Sequence, residues 1–164
     1  MAETPETAIA APAAEQIRIR DGVASDVPAV IALDETVTGL AKPDYWQGLF
    51  DREGPPRRRR RHFLVAVETG EKDGRLLGFI IGEARAWEFG SPPCGWVFAI
   101  SVDPEARLAG VGSRLLAAIS DRFREEGVDK MRTMLSRNNH LLMSFFRSHG
   151  MMAGPYIQLE KDLD

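Results

Sequence analysis

The sequence predicts a mixed α+β fold, a single sheet of about six strands with helices packed against it. Three observations lead there. Short runs at 17–20, 62–68, 76–87, 96–102, 130–135 and 156–162 are alternating or continuously apolar and are bounded by Gly, Pro or polar clusters, as strands are. Stretches with a helical apolar period lie between them, above all at 113–126. The resulting order is strand, two helices, three strands, helix, strand, helix, strand, which combines hairpin connections with helical crossovers.

Each element has its own reason. Up to about residue 15 the chain is Ala, Pro, Thr and Glu without a period, too little apolar surface to offset the entropy of ordering, so a disordered tail is expected before one domain at 16–164. "IRIR" from Ile17 alternates as a half-buried strand. "DGVASDVPAVIALDETV" then offers Ser25 or Asp26 as N-cap, Pro28 in the first turn, and Val27, Val30 and Ile31 as a stripe. A short helix is expected at 44–53, stopped by "GPP". Strands 62–68 and 76–87 form a hairpin through Gly70 and Gly74, and "WVFAISV" at 96–102 is apolar enough for a sheet centre. At 113–126, Leu115, Leu116, Ile119 and Phe123 share a helical face that Gly127 closes. "KMRTML", a helix at 139–149 ended by Gly150, and the strand "YIQLEKD" complete the order.

Composition narrows the function. With 164 residues, 44% hydrophobic and 27% charged, the chain is an ordinary globular domain. A net charge of -3 argues against a surface that traps nucleic acid as a whole, so a nucleic-acid partner is disfavoured. One cysteine, Cys94, excludes an intrachain disulfide, and no Cys/His cluster has zinc spacing. His140 and His149 are nine apart, off a shared helical face, and no metal is expected. The opening "MAETPETAIAAPAAEQ" lacks a signal-peptide pattern and no run is long and apolar enough to span a bilayer, so a cytoplasmic protein without a membrane partner is expected.

The stretch most charged with chemistry is "RLAGVGS", Arg107, Leu108, Ala109, Gly110, Val111, Gly112 and Ser113, between the strand "WVFAISV" and the helix that follows. Backbone amides at a helix N-terminus, glycines that let a ligand approach, and a fixed arginine charge make a phosphate site. The glycines also suit a plain tight turn. No Gly-Lys-Ser or Gly-Lys-Thr occurs, and "GVGSRL" has Leu115 where a dinucleotide fingerprint has its third glycine, so nucleoside triphosphate and NAD sites are set aside.

"ISVDPEARLAGVGSRLLAAI" resembles the signature of the GNAT N-acetyltransferase superfamily, with Arg107, Gly110 and Gly112 at the positions that hold the pyrophosphate of acetyl-CoA. "NHLLMSFFRSHGM" is similar to a second motif of that family through Asn139, Phe145, Phe146, Gly150 and Met151. The resemblance covers 17–163 and implies a six- to seven-stranded mixed sheet with about four helices. It also implies acetyl transfer from acetyl-CoA to an amine in a ternary complex, with Ile100, Ser101 and Val102 along pantetheine and Asn139, Phe145 and Phe146 beside the CoA arm. The acceptor would be a small-molecule or protein amine, and members often dimerise, which allows a homodimer.

The family often has tyrosine where this chain has Phe146, and that hydroxyl commonly protonates the departing thiolate; phenylalanine has no proton to give. Tyr156 is a candidate substitute. Glu83, with Glu88 and Cys94 nearby in sequence, is the candidate base for an amine that is almost wholly protonated at neutral pH. The vacant acid position supports an alternative, a catalytically weak or inactive CoA-binding regulatory module. The run Arg57 to Arg61 reads as a solvated loop at a sheet edge, or as a clamp for an acidic partner. Tyr45, Trp46, Trp87 and Trp96 are divided between core packing and an acceptor pocket, and Met151 and Met152 are expected as core filler.

Overall fold

The computed structural model describes residues 14–51, 61–70 and 74–163. They form two compact units that divide after Thr133. The first begins with a 3-10 turn, Ala14–Gln16, and then holds β1 Ile17–Asp21, α1 Val27–Thr38, α2 Pro43–Asp51, β2 Arg61–Glu68, β3 Leu76–Arg85, β4 Cys94–Val102, α3 Val111–Glu125 and β5 Met131–Thr133. The second holds α4 His140–Ser148. Most of the tail expected as disordered, and all of the arginine run except Arg61, lie outside the described residues.

The sheet is mixed, in the order β1-β2-β3-β4-β5. The first four strands are antiparallel neighbours, and β5 joins β4 in parallel through the crossover helix α3. Alternation assigns the two faces. On one, Val65, Val67, Phe79 and Ile81 make a core with Val27, Val30 and Leu33 of α1 and Trp46 of α2. Trp46 is therefore core, with its indole N-H donating to the buried Asp34 carboxylate at 2.8 Å, and it also lines a small apolar cavity with Val30, Leu49, Phe50 and Phe63. On the other face, Val111, Leu115, Ile119 and Phe123 of α3 reach the backbone at Gly78, Gly82 and Gly95. At Gly95 the approach is so close that a Cβ would overlap the Phe123 ring.

Two irregularities shape β4. Ile81 faces Ala99 while Gly82 faces Val97, so Phe98 is the extra residue of a bulge that bends the strand. β5 is three residues long, and its last pair joins Thr133 to Val97. Beyond that level, the edge of β4 from Phe98 to Val102 has no β5 partner among the described residues.

Among the described residues five strands form, fewer than the expected six to seven. The shortfall is at 156–162, which has no regular secondary structure. Its alternation gives it strand propensity, but a strand exists only through a partner's ladder, and Ile157 and Leu159 stand 83% and 86% exposed. Met152, expected as core filler, is exposed for the same reason: it lies past the end of α4 in that irregular segment.

Candidate active site

The turn after β4 is built residue by residue. Asp103 N-H donates to the Leu77 carbonyl at 2.9 Å, closing the β3-β4 ladder. The Asp103 carboxylate then accepts from Glu105 N-H at 2.9 Å and starts a 3-10 helix, Pro104–Ala109, with Pro104 in its first turn. Gly110, at φ +74°, reverses the chain into α3. Gly110, the N-cap of α3, has no side chain to cap the helix, whose N-terminus carries the positive end of the helix dipole. Val111 is buried and anchors the turn. Leu108 is 98% exposed, Arg107 and Ser113 are exposed, and Ala109 and Gly112 are half-buried.

A diphosphate needs convergent donors, positive potential and room. The helix start supplies the donors, Arg107 the charge, and Gly110 the room, since nothing stands within 4 Å of where its Cβ would be. An extended amide chain needs a free strand edge, which β4 offers past Val97. Along that edge Ser101 is buried while Ile100 and Val102 are half-buried. The residues at 100–113 thus fit acetyl-CoA.

Glu83 lies on the face that carries α1 and α2, and it is 2% exposed. Its Oε2 is 3.2 Å from Arg61 Nη2 and its Oε1 accepts from Arg85 Nε at 2.9 Å. Arg61 in turn stacks over Phe98 and donates to the Leu49 carbonyl of α2, while Arg85 lies over Trp96 and 3.6 Å from Glu88. Cys94 is buried, with Arg132 Nη1 3.6 Å from its sulfur. Glu83, Glu88, Cys94 and Trp96 therefore share one end of the sheet, while Trp87 and Tyr45 are exposed. The two arginines around Glu83 were missed in sequence. The signal for them was the cross-strand pairing Arg61 to Glu83 and the i, i+2 spacing of Glu83 and Arg85 along one face.

In the second unit, Asn139 caps α4, its Oδ1 accepting from Leu142 N-H at 3.1 Å. Phe146 is buried and Phe145 half-buried, their rings edge to face at 5.2 Å. Tyr156 is half exposed in the irregular segment. No group of three or more His, Cys, Asp or Glu among the described residues is placed to hold a metal ion, and no helix among them is long and apolar enough to cross a membrane.

Comparison with known proteins agrees with this geometry. The model of the acetyltransferase (GNAT) family matches residues 29–151. A mycothiol acetyltransferase of Kocuria rhizophila is 33% identical over 102 residues, 62% of this chain and 33% of that protein. An L-2,4-diaminobutyric acid acetyltransferase of Nocardia farcinica is 33% identical over 86 residues, 52% of this chain and 43% of that protein. The chain thus spans less than half the length of these two relatives. Among solved structures, an aminoglycoside N-acetyltransferase AAC(6')-Iy in complex with CoA shares the fold, with a TM-score of 0.75 at 17% identity over 89% of this chain and 94% of that one.

Proposed function

This chain belongs to the acetyltransferase (GNAT) family, and from that premise we propose that it transfers an acetyl group from acetyl-CoA to the amine of a small molecule, by direct attack in a ternary complex. The observation that carries the reading is the start of α3 behind a glycine N-cap, Gly110, beside Arg107 and next to a strand edge with no β5 partner among the described residues. The small-molecule acceptor is supported by two relatives, a mycothiol acetyltransferase and an L-2,4-diaminobutyric acid acetyltransferase, both named for small molecules. A cytoplasmic setting belongs to the same reading, and the single cysteine, a buried free thiol, is consistent with it.

Acetyl-CoA supplies an activated acyl group with a thiolate leaving group. The N-H groups opening α3 and the Arg107 guanidinium bind and orient the diphosphate. Backbone N-H groups along 98–102 stabilise the charge that grows on the carbonyl oxygen; one such donor is worth about 3 kcal/mol. For Glu83 the geometry favours a role other than free base: both oxygens already accept from or pair with guanidiniums, so it fixes Arg61 and Arg85 at the acceptor end of the sheet. The amine's proton then leaves to water, which suits an acceptor amine of low basicity. Tyr156 enters as a candidate proton donor on its sequence position alone. Asn139, Phe145 and Phe146 enter on their motif alone.

The test is calorimetric titration with CoA together with thiol release from acetyl-CoA over a panel of small amines. Binding with release supports the enzyme. Phe146, buried where the family often has tyrosine, favours one second reading, a CoA-binding module without turnover; that reading requires binding with no release for any amine. Absence of binding by the folded protein overturns both.

A further inference from the structure

Three acidic side chains stand around one guanidinium at the base of the turn. Arg75, at the foot of β3, places Nη1 2.7 Å from Glu105 Oε2 and 3.5 Å from Asp103 Oδ2, and its Nε is 3.8 Å from Glu68 Oε1. Asp103 and Glu105 are the residues that start the 3-10 helix leading to Gly110 and α3. The segment 103–113 therefore carries two carboxylates against the single charge of Arg107, and the ligand assigned to it is a polyanion. From Glu105 to Val111, where α3 opens, is six residues of chain, at most about 22 Å even if fully extended. At low ionic strength that is shorter than the Debye length, about 30 Å at 0.01 M, so two unmasked carboxylates weaken anion binding there.

We propose that Arg75 is a positioning residue of the diphosphate site: it touches no part of the ligand, but masks Asp103 and Glu105 and holds them at the far end of the turn, so that Arg107 and the α3 amides present a net attractive field. This rests on the reading of 107–113 as the diphosphate site. The ion pairs join the start of β3 to the loop after β4, two segments already in register through the Asp103 to Leu77 hydrogen bond. Arg75 is partly exposed and its neighbours are acids, so replacement by glutamine leaves the sheet core untouched.

The experiment is the affinity of the full chain for CoA, by calorimetry at low and at high salt, for the wild type, Arg75→Gln, Arg75→Lys and the double variant Arg75→Gln/Glu105→Gln, with melting temperatures as a check on folding. Arg75→Gln is expected to bind CoA about fivefold more weakly at low salt, with the ratio to wild type shrinking toward one at high salt as the carboxylates are screened. Arg75→Lys should stay within about twofold of wild type, because the charge is kept, and the double variant should recover most of the loss. Wild-type affinity in Arg75→Gln overturns the proposal. So does a loss that is equal at both salts or that Glu105→Gln does not relieve, since loosening of the loop behaves that way. A wild-type protein that gives no heat with CoA overturns the underlying reading, a result visible before any variant is compared.

Discussion

Asp26 shows how a single carboxylate sets the acid limit of the fold. Burial alone would push its proton affinity up, but bidentate pairing with Arg20 at 2.7 and 2.9 Å and the Val23 N-H at 2.8 Å outweigh it and hold the group below the usual carboxylate range. A carboxyl depressed in the folded state contributes stability that is fully present above its unfolded value, about 3.9, and is lost as pH falls through the folded value. Asp26→Asn should therefore cost about 1–2 kcal/mol in urea unfolding at neutral pH, with a gap to wild type that closes below about pH 4. Glu83 makes a second case. Glu83→Gln leaves two guanidiniums short of their carboxylate; because both remain a quarter to a third exposed, the expected loss is about 2 kcal/mol and not the full cost of a severed buried pair. Under the role assigned above, the pH dependence of any acetyl transfer keeps its shape in this variant; loss of a titrating limb would make Glu83 the base after all. Sequence marked the turn that holds Arg107 and Gly110, because a strand, a glycine and an amphipathic helix in succession are local signals. It did not show how Glu83 is used, because that depends on Arg61 of the neighbouring strand and Arg85 two residues along its own strand meeting at one carboxylate.

At the level of elements, the contact between α3 and the sheet decides most. Phe123 lies over Gly95, and a methyl group there has no space, so Gly95→Ala should lower stability by about 2–3 kcal/mol through overpacking, read as a drop in urea midpoint at constant slope. The control is Gly154→Ala, where nothing lies within 4 Å and the change should be close to neutral. Nearly every element was legible because each carries its own period: the α3 face of Leu115, Leu116, Ile119 and Phe123 and the central apolar strand needed no tertiary information. The exceptions share one cause. The run 156–162 alternates as a strand does, and the brevity of β5 has no local marker at all, since both depend on which strand edges meet and not on the residues concerned. The bulge at Phe98 was equally hidden, being a mismatch of register between two strands that each look regular.

Across the whole molecule, ligand and fold are linked. CoA that binds only the folded chain raises its stability by about 2.7 kcal/mol at a hundredfold excess over the dissociation constant, so the melting temperature should climb with CoA concentration and Gly112→Trp should abolish the climb without unfolding the protein. A melting temperature indifferent to CoA in the wild type would contradict the diphosphate site. Family and architecture could be inferred from two motifs and an element order, whereas the acceptor could not, because no local motif of the sequence marks it. One further consequence lies in the parting of β4 from β5 after Val97. Among the described residues the stretch from Phe98 to Val102 has no β5 partner, and an open edge inside a sheet welcomes any extended chain, including a loose end of another copy, so purified protein without CoA should clump on storage, and adding CoA should keep it dispersed.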